Sequence, residues 1–195
     1  MIMTKIETEG YHGRNEISLE ARFLKEGRVF LLGDITTESA LEVMQKLIYL
    51  ENDPGTERVK LYINSPGGGI NSGLLIYDVL ESMTKPVDMY CIGMAASMAA
   101  VVLAAGKKGH RHILPHSKVM IHEPRMYGGE YTTATDMKNM TESIMKTKEM
   151  VNKILAKQTG KTLEEINEAT AYDNYMDAEE SVAFGLCDDI SSDIY

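Results

Sequence analysis

The sequence predicts an α/β fold built on a parallel sheet, and three observations predict it. Short apolar runs of strand length alternate with amphipathic stretches of helix length. The connections between them are short and rich in Gly, Pro, Asn and Ser. Two of those connections, one glycine-rich and one made of small residues around a serine, each follow a strand and open a helix. That places both at the carboxyl edge of the sheet, where ligand sites of α/β folds lie.

In chain order, residues 1–16 are polar and weakly patterned and are expected to form a flexible N-terminal arm. Arg28-Val29-Phe30-Leu31-Leu32-Gly33 reads as a first buried strand. Thr37 caps a helix in which Leu41, Met44, Leu47 and Ile48 recur at helical spacing, and Asn52-Asp53-Pro54-Gly55 ends it. Residues 59–63 form a second strand, followed by Asn64-Ser65-Pro66-Gly67-Gly68-Gly69 and a helix over about 71–83. Residues 87–92 form a third strand, the small-residue turn follows, and a helix runs over 97–105. Two short strands, 110–115 and 118–122, flank a turn at His116-Ser117. After the loop Arg125-Met126-Tyr127-Gly128-Gly129-Glu130 comes one long helical pattern over about 135–158, closed by Gly160. At 1.5 Å per residue it spans ~36 Å. Its Met137, Met140, Ile144, Met145, Val151, Ile154 and Leu155 suit a core or another subunit, and a projecting, interlocking arm is the favoured reading. Thr162 with Glu165, and Asp177 with Glu180, read as capping boxes of two short helices. Gly185 caps the second, before a last strand over 186–190. No repeat or low-complexity segment is present.

Composition narrows the function. The chain has 195 residues and 44% apolar content, which suits one domain. A net charge of −9 argues against nucleic acid as the main partner. The basic run Lys107-Lys108-Gly109-His110-Arg111-His112 reads as a solvated turn. Cys91 and Cys187 make no disulfide framework, so a reducing cytoplasm is the expected compartment. No signal core and no run of ~20 apolar residues is seen, so no membrane partner is expected.

Chemistry concentrates in Gly93-Met94-Ala95-Ala96-Ser97-Met98-Ala99-Ala100. A serine at a helix N-terminus lies among unpaired N–H groups that can hold developing negative charge, with small neighbours that leave its hydroxyl reachable. It can equally be a simple N-cap of a buried helix. A hydroxyl nucleophile needs a base, and the base needs an orienting group. Of five histidines, His12 lies in the arm and His110, His112 and His116 in the turn-rich basic region, where a metal site lacks acidic or thiol ligands at telling spacing. His122 emerges where the apolar strand Val119-Met120-Ile121 ends. Asp173, taken alone, is a turn residue. Gly67-Gly68-Gly69 offers unobstructed backbone N–H groups, as a phosphate nest or a tight turn also would; the lysine-containing phosphate loop of nucleotide-binding proteins is absent. Each signal is weak singly. The order Ser97, His122, Asp173 behind a glycine strip is far more specific.

Four segments, Tyr62-Ile63-Asn64-Ser65-Pro66-Gly67-Gly68, Gly93-Met94-Ala95-Ala96-Ser97-Met98-Ala99, Met120-Ile121-His122-Glu123-Pro124 and Tyr172-Asp173-Asn174-Tyr175-Met176, resemble in order the signatures of the ClpP family, the proteolytic subunits of ATP-dependent Clp proteases. The resemblance runs from about residue 20 to 190. It implies a single domain with the ClpP/crotonase-like α/β spiral of ββα units as a head, and a protruding handle of strand and long helix over about 123–158. It implies a serine endopeptidase with Ser97 as nucleophile, His122 as base and then acid, and Asp173 orienting His122. The backbone N–H groups of Gly68 and Met98 would form the oxyanion hole. No metal and no cofactor is implied. Family members form two stacked rings of seven subunits, a 14-mer, and receive unfolded polypeptide from an AAA+ ATPase of the ClpX, ClpA or ClpC kind, which uses the ATP.

The chain departs from the pattern in ways that suit a divergent paralogue. Asn174 stands where many members carry arginine, the loop over 125–130 is about two residues longer, and the N-terminal arm lacks the usual aromatic residues. Two other readings follow: a structural or regulatory ClpP-like subunit of a mixed ring, and a crotonase-type acyl-CoA enzyme, which shares the oxyanion architecture.

Overall fold

Parallel pairing organises the molecule, as the alternation of apolar strands and amphipathic helices requires. The structure, a computed structural model, describes residues 4–10, 13–125 and 133–194. Strands β3 (Arg28–Leu32), β4 (Val59–Ser65), β5 (Val87–Ala96), β6 (Arg111–Ile113) and β9 (Asp189–Ile190) lie side by side in that order, all parallel. Strand β7 (Lys118–Ile121) also runs parallel to β5, further along it, and β8 (Asn174–Met176) pairs antiparallel with β7. The helices are α1 (Leu19–Lys25), α2 (Thr37–Asn52), α3 (Ile70–Ser82), α4 (Met98–Ala104), α5 (Ala134–Thr159), α6 (Leu163–Ala169) and α7 (Ala178–Phe184).

The core gathers where the helices cover the sheet. Leu47 and Leu50 of α2, Leu61 and Ile63 of β4, Ile76 of α3 and Leu103 of α4 are fully buried, each contributing about 1.5–3 kcal/mol relative to exposure. Every residue of α4 is buried, which is why its sequence is all small or apolar. In-register parallel pairing also stacks rings of neighbouring strands: Phe30, Tyr62, Tyr90 and His112 follow one another at centroid spacings of 5.1, 5.2 and 4.9 Å.

Several expectations are corrected. The N-terminal segment, read as a polar, weakly patterned arm with no secondary structure assigned, carries a hairpin, β1 (Lys5–Gly10) with β2 (Gly13–Ser18), and then α1. Its polar strands lack an apolar face, which hid them from periodicity. The stretch 93–96 is the end of β5, not a loop. There β5 leaves β6, which it pairs through 89–91, and takes β7 as neighbour through 94–96. Thus 111–113 and 118–121 do not pair with each other; each adds to β5. The first helix of the head is capped by Thr36, one residue before Thr37, in a box with Ser39. The last strand is only Asp189–Ile190. The basic run is no solvated turn throughout: Arg111 is 2% exposed and bonds to Asp188 and to the carbonyls of Gln158 and Gly185.

The long helix α5 has 26 residues, about 39 Å, and ends at Gly160 in the left-handed conformation. Its second half docks through Val151, Asn152 and Leu155. Its first half does not: Met137 and Met145 are exposed. The capping boxes at Thr162 and Asp177 are present. Most of the loop read over 125–130, and His12, lie outside the described residues. No helix among the described residues is long and apolar enough to cross a membrane.

Candidate active site

Ser97 stands at the corner between β5 and α4 with φ 55° and ψ −124°, the only non-glycine residue with positive φ among the described residues. Such a backbone costs about 1–3 kcal/mol and persists only where its surroundings enforce it. Here they do. The Ser97 N–H donates to the Met120 carbonyl at 2.8 Å, and the Ser97 carbonyl accepts from Ala100 and Val101 at 3.0 and 3.3 Å.

The hydroxyl is not used as a cap. Thr36, Thr133, Thr162 and Asp177 all accept a backbone N–H with their side chains at the start of their helices; Ser97 makes no such bond. The N-cap reading is therefore set aside. The Ser97 Oγ lies 2.9 Å from His122 Nε2.

Strand registers explain the meeting. Ala96 pairs with Met120 in the parallel β5–β7 ladder, so Ser97 and His122 leave adjacent strands at the same end. Ile121 pairs with Asn174 in the antiparallel β7–β8 ladder, so the next rung brings His122 opposite Asp173. The His122 Nδ1 lies 3.1 Å from Asp173 Oδ1. An ionised carboxylate only accepts hydrogen bonds. The tautomer with its proton on Nδ1 fits both contacts: it donates to Asp173 and leaves Nε2 to accept from the Ser97 O–H. The side chain of His122 is 11% exposed and that of Asp173 35%: the imidazole is sheltered and the carboxylate is about one third in solvent.

The glycine strip lies against the corner. A Cβ on Gly67 would stand 2.7 Å from Ser97 Cβ and 3.0 Å from the Met98 nitrogen, too close for any side chain. Gly68 bridges to Ile35 in parallel fashion: Ile35 N–H donates to Gly67 O and Gly69 N–H to Ile35 O, both at 2.8 Å. In that pattern the Gly68 N–H points away from Ile35. The Met98 N–H opens α4 and has no acceptor within the helix. A Cβ on Gly68 would meet Ile35 O at 2.3 Å.

These residues line one cleft of about 830 Å³. Its walls include apolar Ile70, Val101, Val151 and Leu155 and the hydroxyls of Ser143 and Thr147.

Other sequence candidates go elsewhere. His110 Nδ1 lies 2.6 Å from Asp88, which also accepts from Arg58, and His112 Nδ1 lies 2.8 Å from Asp189. No group of three His, Cys, Asp or Glu among the described residues is arranged to hold a metal. Burial pushes the Cys91 thiol up to about 12, and burial, then the Cys91 thiol, pushes Cys187 higher still. Both are poor nucleophiles. Two groups went unread in the sequence. Arg125 Nη2 donates to Asp173 Oδ1, and Lys148 of α5 pairs with Glu123 at 2.5 Å. Neither carries a local signal, because both contacts arise from segments brought together by β8 and α5.

Among known families, the family model described as Clp protease matches residues 12–193 of the chain. The match spans the glycine strip, Ser97, His122 and Asp173.

Proposed function

Because the chain belongs to the Clp protease family, whose members are peptidases, we propose that it is a serine-type proteolytic subunit that hydrolyses unfolded polypeptides to short peptides. The observation that carries this reading is the pair of contacts at 2.9 and 3.1 Å that link Ser97, His122 and Asp173.

In this mechanism His122 Nε2 takes the Ser97 proton as Oγ attacks a peptide carbonyl. Asp173 holds the imidazole in the tautomer that can accept and stabilises the imidazolium that forms. The amides of Gly68 and Met98 receive the developing oxyanion, and losing one such donor costs roughly 10²–10³ in rate. His122 then protonates the leaving amine, giving an acyl-enzyme that water resolves by the same steps in reverse order. The apolar part of the cleft, Ile70, Val101, Val151 and Leu155, suits an uncharged side chain on the acyl side of the scissile bond.

The reading extends to assembly. The exposed first half of α5, with Met137 and Met145, is the surface by which one seven-membered ring would meet another in a 14-mer. An AAA+ Clp ATPase would supply unfolded chain, in the cytoplasm.

Labelling with a fluorophosphonate, located by mass spectrometry, tests the proposal. Modification is expected at Ser97, absent in Ser97→Ala and reduced at least 10³-fold in His122→Ala. An assembled ring that takes no label would instead favour the structural or regulatory subunit. Thioester turnover without peptidase activity would favour the acyl-CoA enzyme.

A further inference from the structure

Asp173 sits where a carboxylate is poorly held. It precedes the three-residue strand β8, follows the exposed Tyr172 (86% exposed), and keeps a third of its side chain in solvent. Among the described residues, its carboxylate has two partners, His122 Nδ1 and Arg125 Nη2, and both address Oδ1. The terminal torsion of an aspartate is soft. With a third of the side chain in solvent, the imidazole alone would hold Oδ1 in place only weakly.

The guanidinium supplies the missing restraint. Arg125 follows His122 by three residues, so the segment that delivers the base also delivers this charge. The nearest carboxylate on the same segment, Glu123, does not compete for it, because Lys148 takes Glu123 at 2.5 Å. Arg125 also lines the cleft.

We propose that Arg125 is a positioning residue that keeps the Asp173 carboxylate turned toward His122. It acts through Asp173 and touches none of the reacting atoms. The inference rests on the reading of Ser97, His122 and Asp173 as the working set.

Steady-state hydrolysis of a short fluorogenic peptide and the rate of fluorophosphonate labelling, both on the assembled enzyme, test it. Arg125→Gln is expected to lower kcat and the labelling rate about two- to fivefold with KM unchanged, the scale of a half-exposed ion pair. Arg125→Lys is expected to recover most of the loss, and keeps the test open if the Gln variant assembles poorly. In an Asp173→Asn background, Arg125→Gln is expected to change the labelling rate no further, because a residue acting through Asp173 has then nothing to act on. An unchanged or raised rate in Arg125→Gln, a Lys variant no better than Gln, or the same loss in the Asp173→Asn background overturns the proposal. Wild-type protein that takes no label at Ser97 overturns the catalytic reading and this one together; wild-type labelling with an indifferent Arg125→Gln overturns this one alone.

Discussion

Asp188 and Asp173 each accept from an arginine, Arg111 in one case and Arg125 in the other, but their surroundings differ. The Arg111 side chain is 2% exposed. Its Nε and Nη2 bond to the two Asp188 oxygens at 3.0 and 2.5 Å, and its Nη1 donates to the carbonyls of Gln158 and Gly185. Asp188 also accepts the N–H groups of Gly109 and Arg111. Around Asp173, by contrast, one oxygen carries both partners and about a third of the side chain is exposed. The saturated, largely buried pair ties the end of α5 and the residue after α7 to β6. The contact at Asp173 is more exposed and has fewer donors. Burial and the number of donors are what separate the two Asp–Arg contacts.

Exchanging the two acids by amides is the most direct way to break this contrast. Asp173→Asn is expected to lower peptidase turnover about 10⁴-fold, since an amide can favour the wrong imidazole tautomer. Its thermal midpoint should stay near wild type, because the site is half exposed; a large fall would mean that Asp173 is a structural residue. Next in size, Asp188→Asn leaves a buried guanidinium without its counter-charge. It should cost about 3 kcal/mol of stability, read by denaturant unfolding, with activity per folded molecule intact. An unaltered midpoint would show that the buried pair contributes little.

Acid titration gives the smallest and most selective effect. Burial raises the Asp188 pKa, but the hydrogen bonds and charge of Arg111 outweigh it, and the net shift is downward. A carboxylate lowered in the folded state stabilises fully above its unfolded value, about 3.9, and loses that contribution as the pH falls through the folded value. Wild-type stability should therefore drop more steeply below about pH 4 than that of Asp188→Asn. Parallel curves for the two proteins would remove Asp188 from the acid response.

Legibility in the sequence followed the range of the interactions involved. The boxes Thr162–Glu165 and Asp177–Glu180, the left-handed caps at Gly160 and Gly185, and the apolar spacing of α2 and α5 all depend on residues three or four apart, and all were readable. So were Ser97, His122 and Asp173 as candidates, by their order and by the glycine strip upstream. The hairpin β1–β2 was not, because its polar strands carry no alternation. Nor was the burial of Arg111, whose neighbours Lys107, Lys108 and His110 look like any charged turn, or the extension of β5 through Ala96, where small residues mimic a loop.

What the sequence determined by itself, then, is the set of elements and the chemical candidates, because backbone propensity, capping and apolar periodicity act over single turns and single strands. The tertiary structure alone decided which candidates meet. His122 and Asp173 are 51 residues apart and become partners only because Ile121 and Asn174 share a rung of the β7–β8 ladder. The strained corner at Ser97 likewise rests on distant residues: Met120, whose carbonyl accepts its N–H, and Gly67, whose missing side chain leaves room for it. Register between distant strands is set by how their apolar faces share one core, and no local stretch of chain contains that information.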